Sequence, residues 1–306
     1  MSWWEAVVLG VVQGLTEFFP VSSSGHLVLS ESLLGLSIPG VAFDVALHVA
    51  TLVSVVVVYR ARLWGLFLGC FVHRDVNSWR YVGLLALATV PAAVAGLTFE
   101  DWFEARFEDP IYAGTMILVT GCFVWSTRWA RGEQRSRALE FLPIVVAAVV
   151  SYLAGTVVPF TAVLAAEALL MSTARRTAPA AWAETPGWSA AAFMGVAQAM
   201  AIMPGISRSG STVVTGLWRR IDPVAAAEFS FLMSIPAILG AAVLKLPELT
   251  AGGGLVGALP LLLGSVAALL AGILAIRFFV ALLKRQEFWY FAVYCWVAGA
   301  GFLLMA

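Results

Sequence analysis

The stretch "TEFFPVSSSGHLVL" (residues 16–29) places one glutamate, three serines and one histidine inside a run that is otherwise apolar enough to enter a bilayer. A charged side chain at the centre of a membrane helix costs about 2.5–3.5 kcal/mol on insertion scales. Pro20 and Gly25 lie between Glu17 and His26 and break the helical pattern there. Because polar groups at such a break are costly, we expect Glu17 and His26 to serve a function.

The composition around this stretch indicates a polytopic membrane protein. Of the 306 residues, 61% are hydrophobic and only 12% are charged, whereas soluble domains carry about 25% charged residues. The formal net charge is zero and no basic stripe with interleaved aromatic residues occurs, so nothing indicates a nucleic-acid partner. Cys70, Cys122 and Cys295 stand singly in apolar stretches and are expected to be small buried hydrophobic residues.

Apolar runs of about 20 residues, the length that spans a bilayer, occur at seven places. They fall at about 41–59, 81–99, 111–127, 141–158, 224–244, 255–276 and 287–305, and a shorter run falls at about 160–173. Two further apolar runs, at 3–19 and 188–203, differ because each ends near a proline and continues into serine and glycine.

Clusters of Arg and Lys orient these spans, because basic loops favour the cytoplasmic side. The basic loops are Arg60, Arg62, Arg74 and Arg80; Arg128, Arg131, Arg135 and Arg137; and Arg277, Lys284 and Arg285. With these loops inside, a multi-pass chain is expected to have both termini on the outer face. The acidic stretch 100–110 is expected to be a solvated loop.

An internal repeat is the most informative feature of the chain. "LGVVQGLTEFFPVSSSGH" (9–26) aligns with "MGVAQAMAIMPGISRSGS" (194–211) at an offset of 185, with the prolines one position out of step. The matched pairs are Gly10 and Gly195, Gln13 and Gln198, Ser22 and Ser207, Ser24 and Ser209, and Gly25 and Gly210. Arg175, Arg176, Arg219 and Arg220 place the flanks of the second copy on the inner side. The basic loop that begins at Arg60 places the flank of the first copy, at residue 41, on the outer side. The pattern therefore predicts two inverted re-entrant hairpins that meet at the membrane midplane.

The predicted fold is all-α: an inverted-topology repeat with two re-entrant helical hairpins, six core transmembrane helices and one extra helical hairpin. The chain 1–306 is expected to form a single integral membrane domain. Repeat one covers about 1–128, the inserted apolar hairpin about 138–174, and repeat two about 186–306. A hairpin crosses the membrane twice, so the insertion preserves the orientation of everything after it.

The two breaks are predicted to form an anion site, most plausibly for phosphate. Each precedes an expected helix, one starting at Leu27 and the other at Thr212, and helix N-termini attract anions through free N–H groups. Arg208 adds a guanidinium suited to bidentate phosphate contact. The other members of this site are Ser22, Ser23, Ser24, Gly25, Ser207, Ser209 and Gly210. One or two of the serines are expected only to cap a helix.

The sequence leaves open the roles of Glu17, His26 and Ser23. Glu17 can bind a divalent cation, accept a proton or pair with Arg208, and Gln13 lies one helical turn before it. His26 can act as nucleophile or proton donor, while Ser23 is the best serine candidate for a nucleophile. His48 and His73 lack comparable neighbours in sequence and are expected to be structural.

Together, "QGLTEFFPVSSSGH", "FDVALHVATL" and "PGISRSGST" resemble the undecaprenyl-pyrophosphate phosphatases associated with bacitracin resistance. The resemblance covers most of the chain. It implies an enzyme of the bacterial inner membrane that removes the terminal phosphate from undecaprenyl pyrophosphate and so recycles the lipid carrier for cell-wall synthesis. It also implies that a divalent cation, Mg²⁺ or Ca²⁺, assists. A homodimer is compatible with this picture.

The resemblance also implies residue roles, position by position. Glu17 and Gln13 would form the metal site, at the two positions of an acidic pair. Among members of the family, the position of Gln13 is either Glu or Gln. Ser23 and His26 would share the nucleophile and proton-transfer roles in an unresolved assignment. Arg208 would grip the pyrophosphate, with Ser207, Ser209 and Gly210 around it.

A transporter is the alternative. Inverted repeats with broken helices at the midplane are also how secondary transporters build their sites. Glu17, His26 and Arg208 would then serve the movement of a phosphorylated prenyl lipid or another anion. Phosphate release by the purified protein without any gradient distinguishes the two hypotheses.

Overall fold

A computed structural model describes residues 1–36, 42–107, 109–130, 137–245, 257–285 and 288–305. Within these ranges the chain is helical, apart from loops and one isolated bridge between Ala183 and Ile221. The helices are α1 (Trp3–Phe18), α2 (Ser23–Leu33), α3 (Ala42–Val58), α4 (Arg60–Phe71), α5 (Val76–Thr98), α6 (Glu100–Phe107), α7 (Pro110–Trp125), α8 (Thr127–Ala130), α9 (Arg137–Leu153), α10 (Val157–Arg176), α11 (Trp188–Met200), α12 (Arg208–Trp218), α13 (Pro223–Leu244), α14 (Ala258–Lys284) and α15 (Tyr290–Met305).

Five helical stretches of the described residues are long and apolar enough to cross a membrane, which confirms an all-α polytopic membrane protein. These are Val76–Thr98, Pro110–Ala130, Val157–Arg176, Pro223–Leu244 and Ala258–Lys284. α3 and α4 pass the same test of length and composition only when taken together, and the pair is bent by 74°. Arg131, Arg135 and the ends of the predicted spans at 41, 255 and 287 lie outside the described residues.

Two segments expected to be loops are helical. α4 occupies most of the first basic loop, and α6 occupies most of the acidic stretch 100–110. Trp64, Phe67 and Phe71 form an exposed stripe along α4, with neighbouring ring centroids 5.3 and 5.1 Å apart. Such a stripe, beside arginines on the same helix, is typical of a helix lying at a membrane interface, which a search for full-length spans does not detect.

At the place of each predicted hairpin the chain forms a short helix, a break and a second short helix. That these hairpins are re-entrant stays a prediction. α1 packs against α2, and α11 packs against α12. The predicted starts of the second helices, at Leu27 and Thr212, are wrong, because α2 begins at Ser23 and α12 at Arg208. Ser22 Oγ accepts a bond from the Gly25 N–H at 3.4 Å, and Ser207 Oγ accepts from the Gly210 N–H at 3.0 Å. These N-caps start each helix four residues earlier than the apolar pattern suggests.

Small residues let α1 lie directly on α14. A Cβ on Gly10 would stand 2.2 Å from the Gly264 carbonyl oxygen, and one on Gly14 would stand 2.5 Å from the Ala268 carbonyl oxygen. Membrane helices associate through such close backbone approach, because lipid gives no hydrophobic driving force between them. This contact fixes the first hairpin against the C-terminal half of the chain.

The predicted extra hairpin corresponds to α9 and α10, joined at Gly155, whose φ is +70°. α10 packs against α7, α11 and α12. Glu167 on α10 is 1% exposed, and neither carboxyl oxygen has a hydrogen-bond partner among the described residues. That the hairpin is an insertion into the repeat stays a prediction.

Gly10→Ala is expected to lower the free energy of unfolding in detergent by about 1–3 kcal/mol, because the methyl group forces α1 away from α14. Gly240→Ala on α13 is the matched control, since none of the described residues has an atom within 4 Å of its Cβ position. That variant should be neutral or stabilising by up to about 1 kcal/mol. Thermal melts of the two variants test the packing, and equal effects would contradict it.

Candidate active site

The breaks of the two hairpins lie against each other. The Phe19 carbonyl oxygen, at the end of α1, accepts hydrogen bonds from Ser209 Oγ at 2.9 Å and Ser207 Oγ at 3.4 Å. A Cβ added to Gly25 would stand 3.3 Å from the Gly205 Cα atom, so glycine at position 25 permits this approach. Residues about 185 positions apart in the sequence therefore lie in contact at the two breaks.

The serines of the two breaks make matching contacts. Ser22 Oγ lies 3.3 Å from Ser24 Oγ, and Ser207 Oγ lies 3.2 Å from Ser209 Oγ. Each pair stands at the N-terminus of an 11-residue helix, where backbone N–H groups lack helical partners. The arrangement can bind an anion through N–H groups, hydroxyls and the positive helix ends.

The backbone at both breaks has unusual geometry. Ser22 has φ +72°, a region that residues with a side chain rarely adopt, and Gly205 has φ +92°. A Cβ at Gly205 would also stand 2.2 Å from the Ala113 carbonyl oxygen on α7. Strained residues persist only where surrounding contacts hold them, and they cluster at functional sites.

A buried ion pair joins the two hairpins. Arg208 Nη2 donates a short hydrogen bond to Glu17 Oε1, and the two side chains are 15% and 7% exposed. Arg208 Nη1 also donates to the Ser230 carbonyl oxygen on α13 at 3.4 Å. Of the alternatives for Glu17, the structure shows pairing with Arg208, which is the first residue of α12.

Ser23 is hydrogen-bonded to the other oxygen of this carboxylate. Its Oγ donates to Glu17 Oε2 at 2.7 Å, and Gln13 Nε2 donates to the same oxygen at 3.1 Å. Because Ser23 is the first residue of α2 and only partly buried, its hydroxyl lies beside the N–H groups that would hold an anion. A hydroxyl bonded to a carboxylate is the geometry of an activated nucleophile.

His26 makes different contacts from those of Ser23. Its Nδ1 lies 2.7 Å from the Ser22 carbonyl oxygen, and its Nε2 lies 2.8 Å from the Tyr294 hydroxyl on α15. Both ring nitrogens are thus engaged, and the imidazole is 7% exposed. In this geometry His26 is better placed to move or hold a proton than to attack a substrate.

His48 was expected to be structural, but the structure places it at the site. Its Nε2 lies 3.8 Å from Glu17 Oε2, while its Nδ1 donates to the Asp44 carbonyl oxygen at 2.8 Å. The residue lies on α3, and only packing of α3 beside α1 brings it near Glu17. The one sequence signal was its place in "FDVALHVATL", a segment of the family resemblance. His73 lies in the loop between α4 and α5, exposed.

The side chains around Glu17 provide some, but not all, of the ligands that a divalent cation needs. The Gln13 amide oxygen is buried and has no hydrogen-bond partner among the described residues, so it can serve as a ligand. Within those same residues, no group of three or more His, Cys, Asp and Glu side chains is placed to hold a metal. Mg²⁺ commonly takes one or two carboxylates and substrate phosphates. The donor set fits a cation bound together with a phosphate ligand.

Ser207→Ala is expected to lower the free energy of unfolding by about 1–2 kcal/mol, because it removes the α12 cap and one donor to Phe19. Ser172→Ala is the control, because Ser172 is exposed and bonds only the Leu169 carbonyl oxygen one turn earlier. Its effect should stay within about 0.5 kcal/mol. Chemical unfolding in mixed detergent micelles measures both, and a neutral Ser207→Ala would argue against the break contact.

Comparison with known proteins identifies related chains. The profile of the family described as "Bacitracin resistance protein BacA" matches residues 6–159 and 138–301. A protein of Syntrophotalea carbinolica named undecaprenyl-diphosphatase is 36% identical over 310 residues, covering 100% of both chains. Proteins of the same name from Desulfatibacillum aliphaticivorans and Bacteroides thetaiotaomicron are 34% and 33% identical, each covering 99% of both chains.

Proposed function

Because the chain belongs to the bacitracin resistance protein BacA family, we propose that it is an undecaprenyl-diphosphatase. The reaction is hydrolysis of undecaprenyl pyrophosphate to undecaprenyl phosphate and phosphate. The main support for this proposal is that Ser23 and Arg208, the first residues of α2 and α12, both donate hydrogen bonds to the Glu17 carboxylate. These three residues would supply a nucleophile (Ser23), a proton acceptor (Glu17) and a cationic group that binds phosphate (Arg208).

The pyrophosphate headgroup binds where the breaks meet, and the prenyl tail stays among the apolar helices and lipid. Arg208 neutralises the phosphoryl oxygens, and the N–H groups that begin α2 and α12 and the hydroxyl of Ser24 donate hydrogen bonds to them. Pyrophosphate carries more charge than one carboxylate. We therefore expect its entry to draw Arg208 towards the substrate and to free Glu17 for proton transfer.

The chemical step uses the hydroxyl of Ser23. Its Oγ attacks the terminal phosphorus, forming an Oγ–P bond, while the bond from that phosphorus to the bridging oxygen breaks. Undecaprenyl phosphate leaves with the bonding electrons, and the hydroxyl proton passes to Glu17, 2.7 Å away. Water then attacks the phosphoserine and the P–Oγ bond breaks. Glu17 returns its proton to Ser23 Oγ, and phosphate departs with the two protons of the water. Catalysis rests on position and on charge stabilisation by Arg208 and the helix N-termini.

A divalent cation, Mg²⁺ or Ca²⁺, is part of the proposal. Gln13 and Glu17 would hold it, and when bound it would neutralise charge that develops on the phosphoryl oxygens. The buried, unpartnered oxygen of Gln13 supports this assignment.

The membrane setting of the proposal rests on the basic loops. They support a bacterial inner-membrane location with both termini, and the entry to the first hairpin, on the outer face. The inverted orientation of the hairpins and a homodimer stay predictions. A transporter is not favoured, because the relatives named above carry the name of a hydrolase.

The test is phosphate release from undecaprenyl pyrophosphate by the purified protein in detergent, without any gradient. Ser23→Ala should reduce the rate by about 10³-fold or more, because it removes the attacking atom. Ser32→Ala, exposed on the same helix, should keep the wild-type rate. EDTA should abolish release, and Mg²⁺ or Ca²⁺ should restore it. A Ser23→Ala protein that keeps full activity would overturn the assignment of Ser23, and a folded wild-type protein that releases no phosphate would overturn the function.

A further inference from the structure

The last helix, α15, supplies a tyrosine to the first hairpin. Tyr294 stands 268 positions after His26, outside both repeated motifs, and its hydroxyl lies 2.8 Å from His26 Nε2. The two rings are nearly parallel, 12° apart, with centroids separated by 5.6 Å. Both the hydrogen bond and the ring contact act on the same imidazole, so Tyr294 restrains its position and its plane.

Hydrogen-bond chemistry determines the protonation of this imidazole. The Ser22 carbonyl oxygen, 2.7 Å from His26 Nδ1, can only accept, so Nδ1 carries the hydrogen. In the neutral ring Nε2 is then unprotonated and accepts from the Tyr294 hydroxyl. If Nε2 takes up a proton, the same contact reverses, with Nε2 donating to the tyrosine oxygen. The Tyr294 side chain is 47% exposed and His26 is 7% exposed, so the tyrosine stands between the buried ring and the surface of the protein.

We propose that Tyr294 is a positioning residue for the reaction: it fixes the plane of the His26 ring, whose Nδ1–H form the Ser22 carbonyl oxygen sets, and it is the group through which Nε2 exchanges protons. This inference rests on the proposed function, since it assigns to His26 a proton-transfer task in phosphate release. Ser23 keeps its own acceptor, Glu17, so the two proton routes are separate.

α15 is held firmly enough for this task. The neighbouring Cys295 Sγ donates to the Pro20 carbonyl oxygen at 3.5 Å, so α15 contacts the first break at two points. α15 also packs closely on α7, where a Cβ on Gly299 would stand 3.0 Å from the Gly114 carbonyl oxygen. A small displacement of α15 would therefore move Tyr294 and the break together.

A matching contact supports the second break. Thr120 Oγ1 on α7 donates to the Gly205 carbonyl oxygen at 2.9 Å and accepts from the Ser207 N–H at 3.0 Å. The paired helices α7 and α15 thus each brace one break. In the second hairpin, however, Ser211 stands at the repeat position of His26. Only the α15 contact acts on an imidazole, which argues that Tyr294 does more than brace.

The first test reads the imidazole directly, independently of any activity. With only three histidines in the chain, ¹⁵N-histidine spectra of the purified protein can be assigned with His26→Gln and His73→Gln variants. His26 should show a protonated Nδ1 and a hydrogen-bonded, unprotonated Nε2. Tyr294→Phe, which removes one hydroxyl, should shift the Nε2 signal, whereas Tyr290→Phe on the same helix should not. A wild-type His26 protonated only at Nε2, or a spectrum unchanged by Tyr294→Phe, would overturn the proposal.

The second test measures phosphate release. Tyr294→Phe should lower kcat by about 10–100-fold, the usual cost of losing a supporting hydrogen bond in a site, with KM changed by less than about twofold. In a His26→Ala background the same change should cost nothing further, because Tyr294 acts through His26. Equal losses in both backgrounds, or full activity of Tyr294→Phe, would overturn the role. A wild-type protein with the expected spectrum but no phosphate release would instead show that the proposed function is wrong.

Discussion

The ion pair between Glu17 and Arg208 is the interaction on which the rest of the site depends. Glu17 lies in the last turn of α1, in the first hairpin, and Arg208 is the first residue of α12, in the second hairpin. A charge buried inside a membrane protein is tolerable only when it is paired. Neither hairpin can therefore keep its charge at this depth unless the other hairpin is in place, and the pair fixes the breaks relative to each other.

The same breaks create the chemistry. Interrupting a helix inside a membrane leaves backbone N–H groups without partners, which is costly unless caps or a ligand satisfy them. Ser22 and Ser207 satisfy one N–H group at each helix start. The others remain available to an anion, beside the guanidinium of Arg208. In the proposed function, a phosphoryl group accepts hydrogen bonds from these N–H groups, so that substrate binding depends on the two breaks.

The membrane class, the family and the matching serines could be predicted from the sequence, because they depend on local sequence patterns. Composition and apolar runs predicted the membrane class, and the three motifs predicted the family; both predictions are confirmed. Ser22 and Ser207, which the repeat at an offset of 185 matches, both cap a helix. The inverted repeat itself stays a prediction. The predicted helix starts were wrong because apolar periodicity begins one turn after the cap.

The unpredicted parts depend on packing between distant segments. His48 reaches Glu17 only because α3 lies beside α1, and Tyr294 reaches His26 across most of the chain. No spacing in the sequence encodes either contact. The pairing of Glu17 with Arg208 was one of several alternatives, and only the geometry of the two hairpins selects it. The roles assigned to these residues in catalysis stay predictions.

A double-mutant cycle on the stability of the purified protein tests the central claim most directly. Glu17→Gln and Arg208→Gln should each lower the free energy of unfolding by about 3–5 kcal/mol, because each leaves one buried charge without its partner. The double variant should lose at least about 2 kcal/mol less than the sum of the two, since it leaves no charge unpaired. Effects that add to within about 0.5 kcal/mol would contradict the claim that this pair joins the two hairpins.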